Sequence, residues 1–283
     1  MERFDPACGH HAWYEHWHRY HWVRALACDK TVVDIACGEG YGSDLLIREA
    51  KLVLGVDLDQ ATLSDARARY ARDDLQFILG SADCIPVKEG GIDLVVSFET
   101  LEHLHAQETM VAEIARVLND DGLAIISTPD RDVYSPDGVT HNEYHVKELN
   151  AEEFEELLSA RFPFVRFFGQ EFQLFSTIHE LGSRQDGAAS ILYGDASKGS
   201  ETAVERSGRP MYRIALCGFS EAVVATAQLA ASHAFSDMQG SLWHHYEEQI
   251  ARLQEVDLAL ERARQELRES RSAAAHLAAR LGF

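Results

Sequence analysis

Three acids and one glycine turn stand at spacings that suit a nucleoside ligand. The segment Asp34-Ile-Ala36-Cys-Gly38-Glu-Gly40-Tyr-Gly42 follows a short apolar run. Glycines there let the backbone come close to a ligand where a Cβ would clash. Asp57 lies 17 residues beyond Gly40, at the end of the next apolar run. In a doubly wound sheet that position faces a nucleotide ribose, and a carboxylate can accept from both ribose hydroxyls. Asp83, in Gly80-Ser-Ala82-Asp83-Cys-Ile-Pro86, can accept from the exocyclic amine of adenine. The turn reads Gly38-x-Gly40-x-x-Ser43 and so departs from the G-x-G-x-x-G of nicotinamide-dinucleotide sites. Asp34 also opens it with a negative charge that opposes a pyrophosphate but not a cofactor bearing a sulfonium and an ammonium.

Histidines are the second group able to do chemistry. An unperturbed imidazole titrates near pH ~6.5, which suits a general base. His103 follows the run Ile92–Ser97, and His141 and His145 follow the run Leu123–Ser127. His145 and His103 are the candidate catalytic pair, each also open to a structural or binding role. His141, Glu143 and Tyr144 are candidate acceptor-binding residues. His10, His11, His16, His18 and His21 crowd the start of the chain with Trp13, Trp17 and Trp22. Only some of these share a helical face. They read as an amphipathic aromatic helix over the cofactor mouth with solvated histidines on its far side; a metal site is the alternative there. No essential metal is expected.

The elements that must carry these residues alternate. Apolar strands are expected at 31–36, 52–57, 75–79, 92–97 and 123–127, with helices at 42–50, 60–71 and 107–118 between them. That alternation implies an α/β fold, a doubly wound parallel sheet covered on both faces. A helix at 151–160 and strands at 164–168 and 211–217 follow. Residues 182–208, rich in Gly, Ser, Asp and Ala, read as a mobile insertion. Residues 220–283 read as helix throughout, with an imperfect heptad at Ile250, Leu253, Leu260, Leu267, Ala274, Leu277 and Leu281. This divides the chain into a cap at 1–30, a main domain at 31–219 and a helical tail at 220–283, read as a coiled coil with a long solvated helix packed on its own domain as the alternative.

Composition narrows the classes. With 283 residues, 46% hydrophobic, the chain can bury a full α/β core. Its 46 acids against 26 Lys and Arg leave a net charge of −20, which opposes nucleic-acid backbones. No stretch approaches the ~18 apolar residues of a membrane span, and the start lacks a secretory pattern. Five cysteines without C-x-x-C spacing argue against a disulfide framework or a structural zinc site and for a reduced, cytoplasmic protein.

Taken together, the motifs resemble those of class I S-adenosylmethionine-dependent methyltransferases. They are Val33-Asp-Ile-Ala-Cys-Gly-Glu-Gly40, with Ala36 where many members have glycine; Gly55-Val-Asp57-Leu-Asp59; Ala82-Asp83; and Ser97-Phe-Glu-Thr-Leu-Glu-His103. The resemblance covers about residues 31–130. It implies a Rossmann-like seven-stranded sheet whose last strand is antiparallel, and S-adenosyl-L-methionine as cofactor. It also implies that Asp34, Ala36, Gly38 and Gly40 line the methionine end, that Asp57 and Leu58 hold the ribose and flank the adenine, that Ala82 and Asp83 hold the adenine edge, and that Phe98 and Glu99 border the methyl group.

The loop after the fourth strand, Ser97-Phe-Glu-Thr100, lacks the Asn/Asp-Pro-Pro-aromatic pattern of amino-methylating nucleic-acid enzymes, and a double-glutamate arginine-methylation loop is not recognisable. The flanks Glu15-His-Trp-His-Arg-Tyr20, Ser127-Thr-Pro-Asp130 and Asn142-Glu-Tyr-His-Val-Lys-Glu-Leu149 are similar to methyltransferases of bacterial surface-polysaccharide (O-antigen-type) biosynthesis. That resemblance implies O-methylation of a sugar or a glycan-end phosphate, with the tail joining copies or a glycan-assembly partner. A small-molecule methyltransferase of secondary or quinone metabolism, a non-catalytic cofactor-binding scaffold and, more distantly, a nicotinamide oxidoreductase are the alternatives.

Overall fold

The structure is a computed structural model, and it describes residues 11–70, 72–139, 142–172, 194–195, 200–201, 209–230, 234–235, 246, 250–260, 262–265 and 267–268. Helix α1 (His11–Val23) runs into a 3-10 turn (Arg24–Ala27). Then come β1 (Thr31–Ile35), α2 (Tyr41–Leu46), β2 (Leu52–Asp57), α3 (Gln60–Arg69), β3 (Leu75–Leu79) and β4 (Ile92–Phe98). After a 3-10 turn at Leu101–His103 follow α4 (Gln107–Val117), β5 (Leu118–Pro129), α5 (Arg131–Tyr134), α6 (Ala151–Ser159) and β6 (Phe164–Gln170). The last elements are β7 (Tyr212–Gly218) and α7 (Glu221–Thr226). A two-residue ribbon pairs Gly194–Asp195 with Ser200–Glu201.

The strands form one seven-stranded sheet in the order β3-β2-β1-β4-β5-β7-β6. β1 to β5 are parallel, and β7 runs antiparallel between β5 and β6. The order reverses between β1 and β4, and a crevice opens at the carboxyl ends of strands at such a reversal. The turns after β1, β2, β4 and β5 therefore converge there, and they carry Gly38, Asp57, Glu99 and Asp130.

Period-two alternation feeds two cores. Val32, Leu94, Val96, Ile125, Ile214 and Leu216 face one side with Tyr20 and Val23. Val33, Val95, Ala124, Ile126, Ala215 and Cys217 face the other, under Met110 and Ile114 of α4 and Phe154 and Leu158 of α6. Capping positions the helices. Asp59 accepts from the backbone N–H groups of Ala61 and Thr62 at the start of α3, and Asn150 and Glu153 form a reciprocal box at the start of α6.

Two expected boundaries differ. β5 begins at Leu118, five residues earlier than the apolar run suggested, because Leu118 pairs with Ile92 ahead of an irregularity in the ladder. The run from 220 is not helix throughout. α7 ends at Thr226, and 227–230 leave the helix despite their alanines. Leu229 is drawn into the core, and the Trp22 indole N–H donates to the Ala230 carbonyl at 3.1 Å, so tertiary contacts override local propensity.

Residues 1–4 and 15–232 form one compact unit, and 5–14 with 233–283 form a second. In the second unit residues 250–260 are helical, with Ile250, Leu253, Val256, Leu258 and Leu260 exposed. Most of the expected insertion at 182–208 lies outside the described residues, as do Ala274, Leu277 and Leu281 of the heptad. No described helix is long and apolar enough to cross a membrane. The described cysteines, Cys28, Cys37, Cys84 and Cys217, are free thiols.

Candidate active site

The turn after β1 is left-handed at three positions: Ala36 (φ 55°), Gly38 (φ 52°) and Gly40 (φ 81°). A Cβ on Gly38 would meet nothing within 4 Å, so this backbone faces open space. Asp57, nearly buried at the end of β2, binds the turn from below. One carboxylate oxygen accepts from the Gly38 N–H and the other from the Asp59 N–H, each at 2.9 Å. A carboxylate has about four acceptor positions, so two remain for a ligand.

Asp34 is placed differently. Its carboxylate is fully buried and accepts from the Tyr20 hydroxyl at 2.9 Å and the Ser43 hydroxyl at 2.6 Å. It braces the glycine turn from beneath. Burial pushes its pKa up to about 7; the two hydroxyls pull it down, and Asp57 adds to the rise.

Beyond β2 and β3 the side chains of Leu58 and Leu79 are half-exposed, an apolar surface suited to a planar base. Ala82 is buried beside them in sequence, and exposed Asp83 accepts from the Ser81 hydroxyl. Phe98 ends β4 with its ring 5.0 Å from that of Tyr20, edge to face. Glu99 follows in a left-handed conformation (φ 52°), held by the Ser127 hydroxyl at 2.6 Å.

A charged cluster lies against Glu99. Arg19 of α1 is 1% exposed, 3.8 Å from the Glu99 carboxylate, and donates to the Gln170 side-chain oxygen at 2.6 Å. Its guanidinium stacks over the Tyr212 ring at 4.9 Å. Its Nε and Nη2 have no protein partner, and neither has one carboxylate oxygen of Glu15. Burial pushes Glu15 up to about 7, partly offset by Arg19 and reinforced by Glu99. The face of α1 expected to carry solvated histidines is not uniformly wet. His16 contacts the Tyr41 hydroxyl at 3.2 Å, and burial beside Arg19 holds its imidazole well below the ordinary range.

The two candidate bases meet. The His103 and His145 rings are 5.1 Å apart, edge to face. His103 Nδ1 lies 2.9 Å from the Tyr144 carbonyl, and His145 Nδ1 lies 2.6 Å from a carboxylate oxygen of Glu148. Both partners are acceptors, so each ring in its neutral form carries its proton on Nδ1 and leaves Nε2 as the lone pair. The backbone carbonyl of Glu102 accepts from the N–H groups of Val146 and Lys147 at 2.7 and 3.1 Å, which clamps the segment after β5 onto the turn after β4. Glu143 and Tyr144 are exposed on that segment, and His141 lies outside the described residues.

Residues 33–126 match the family profile described as a methyltransferase domain. The sheet order with its antiparallel seventh strand is that of the class I methyltransferase fold, and over this span the chain is similar to S-adenosylmethionine-dependent methyltransferases. A protein of Mycolicibacterium smegmatis named as a probable S-adenosylmethionine-dependent methyltransferase is 41% identical over 149 residues, which are 50% of this chain and 57% of that protein. A similarly named protein of Mycobacterium tuberculosis is 38% identical over 50% of this chain and 54% of its own length. A ubiquinone biosynthesis O-methyltransferase of Nitrosococcus oceani is 29% identical over 38% of this chain and 47% of its own length. The chain thus spans about half the length of the curated relatives it matches. Among solved structures, a chain of the complex between the Haloferax volcanii Trm112 methyltransferase activator and a methyltransferase has the same fold, with TM-score 0.52, 22% identity and coverage of 72% of this chain and 90% of that one.

S-adenosylmethionine is the cofactor named for these relatives, and the residues here fit it. Gly38 offers an open left-handed backbone, Asp57 spare acceptor positions for ribose hydroxyls, and Leu58 and Leu79 exposed apolar area for adenine. Arg19, Glu15, Tyr20, Ser127, Glu102, Glu148 and Gln170 had no site role in the sequence reading. Only the Glu15–Arg19 pair carried a usable signal, the i,i+4 spacing of a helical ion pair.

The raised acids Asp34 and Glu15 predict a pH dependence. Asp34 and Glu15 both bind protons more tightly when folded, so their contribution is fully present below about pH 4 and is lost as pH rises through about 7. Denaturant midpoints should fall between pH 5 and 7.5, at up to about 1.4 kcal/mol per pH unit for each group. Asp34→Asn imitates the protonated acid and should flatten that slope. An unchanged slope in the variant would place the titration elsewhere.

Proposed function

We propose that the chain transfers a methyl group from S-adenosylmethionine to an oxygen of a sugar or glycan-end group in surface-polysaccharide assembly. The observation that carries the oxygen chemistry is the paired imidazoles, each with Nδ1 on an acceptor and Nε2 presented as a lone pair. An alcohol needs its proton removed, whereas a phosphate or carboxylate does not. Bound S-adenosylmethionine supplies an electrophilic methyl on a sulfonium. The chain's own residues align the acceptor and take its proton: His145, oriented by buried Glu148, with His103 beside it. Exposed Tyr144 and Glu143 supply acceptor contacts, with His141 on the same segment. The saccharide assignment is supported by the resemblance of the flanking segments to surface-polysaccharide methyltransferases. The exposed apolar positions of the 250–260 helix support a role for the tail in joining copies or a glycan-assembly partner in the cytoplasm.

The second reading is a small-molecule acceptor, favoured by the match to ubiquinone O-methyltransferases. Incubation with methyl-labelled S-adenosylmethionine and an extract of the source cells, followed by fractionation, separates the two. Label in the glycan or lipid-linked saccharide fraction supports the first reading, and label only in small molecules replaces it with the second. On the labelled acceptor, His145→Ala should lower kcat by about 10²- to 10⁴-fold while leaving S-adenosylhomocysteine affinity near wild type. Equal losses in both would reduce His145 to a packing role.

A further inference from the structure

We propose that Glu102, His103 and His145 form a binding site for one first-row divalent transition cation of the Mn²⁺, Co²⁺ or Zn²⁺ kind. One ligand atom from each of the three lies within 4.8 Å of the others. Two imidazoles and one carboxylate suit these cations better than Mg²⁺ or Ca²⁺, which prefer oxygen-only shells.

Two features beyond the clustering point the same way. Each imidazole has one nitrogen engaged by an acceptor and the other left over for a ligand. His103 Nδ1 is held by the Tyr144 carbonyl and His145 Nδ1 by the Glu148 carboxylate, so the free lone pair of each ring is Nε2. A carbonyl or carboxylate on the far nitrogen is the outer partner that metal-bound histidines ordinarily have, fixing tautomer and ring orientation. His103 Nε2 stands 3.9 Å from the Glu102 carboxylate, a separation that one shared cation would bridge.

The second feature is the carboxylate. Glu102 is 1% exposed, and its side chain accepts from the Thr128 hydroxyl at 3.2 Å. A buried carboxylate calls for a positive partner. The three ligands are also held in place before any cation arrives, since the Glu102 carbonyl clamps the segment bearing His145.

The inference rests on the reading that the two imidazoles serve an acceptor hydroxyl, and it changes how they do so. As ligands they hold the cation, and the cation holds the acceptor oxygen and lowers the pKa of its O–H, whose proton leaves to water. It also reverses the expectation that no metal is essential. C-x-x-C or H-x-x-x-H spacing could not reveal this set, because His145 follows His103 by 42 residues.

The test is cation binding by the full chain, read without any acceptor. Chelator-stripped protein is titrated with Co²⁺ by calorimetry and visible absorption, with Mn²⁺ in parallel. The expected result is about one Co²⁺ per chain with ligand-field bands of an N/O site, and at least tenfold weaker binding in Glu102→Gln and in His103→Ala. Glu102→Gln is close to isosteric with the protonated acid, and a wild-type thermal shift with S-adenosylhomocysteine certifies that each variant is folded. Co²⁺ binding that persists unchanged in a His103→Ala/His145→Ala double variant would overturn the proposal and move the cation to the N-terminal histidines. Absence of binding to the wild-type chain would overturn it too. Either failure leaves O-methylation standing, because labelled methyl transfer is measured separately. Conversely, Co²⁺ binding with no label in any fraction would retain the site and sink the acceptor reading.

Discussion

Asp57→Ala should weaken S-adenosylhomocysteine binding by about two orders of magnitude or more. Two charge-assisted hydrogen bonds to ribose hydroxyls are worth ~1.5–3 kcal/mol each, and ~1.4 kcal/mol is a factor of ten in affinity. The same carboxylate accepts from the Gly38 and Asp59 N–H groups, so its removal also loosens the turn that approaches the ligand. Both effects act in one direction. Asp57→Asn keeps the shape and one acceptor oxygen and should fall between the two. Calorimetry with S-adenosylhomocysteine reads the outcome, and wild-type affinity in the alanine variant would undo the assignment of this turn to the cofactor.

Gly42→Ala should lower the melting temperature although the position is helical, where alanine ordinarily gains ~1 kcal/mol over glycine. A Cβ built there would collide with the Tyr20 ring. Tyr20 cannot retreat cheaply. Its hydroxyl is bound to Asp34, and its ring packs edge-on against Phe98 at 5.0 Å and Tyr41 at 5.7 Å. Overpacking of this kind costs ~1–3 kcal/mol, and the lost tyrosine–aspartate contact adds to it. In a domain of this size each kcal/mol moves the melting temperature by ~2–4 °C, so a fall of about 5–10 °C is expected. An unchanged or raised melting temperature would show that Tyr20 does not pin α1 to the glycine turn.

These two positions separate what is legible in a chain from what is not. Asp57 was legible because its meaning is a spacing: a carboxylate at the end of the strand after a glycine turn sits at a fixed place in any doubly wound sheet. The strands were legible for a related reason. Each is a short, mostly apolar run, as burial in a parallel sheet favours, interrupted only by single polar residues such as Asp34, Gln76 and Asp93. Asp34 was legible as an acid at the right place but not as a buried brace. Its burial depends on Tyr20, fourteen residues earlier, whose hydroxyl reaches it only once α1 is docked.

The tail shows local propensity losing to packing. Ala-Thr-Ala-Gln-Leu-Ala reads as helix, yet Leu229 is drawn into the core and Trp22 takes the Ala230 carbonyl. The boundary at Leu118 has the same cause, a pairing with Ile92 that no local pattern announces.

Period and spacing along the chain carried the sheet, its parallel order and the glycine–acid constellation, because those signals are local and repeat. Contacts between segments decided the histidine cluster. The Glu102 carbonyl binds the backbone of 146 and 147, and that clamp, with the Gln107 side chain on the Lys147 carbonyl, brings His145 to His103. Residues some forty positions apart carry no mutual signal in one sequence. Their chemistry exists only once backbone hydrogen bonds between the two turns hold them together.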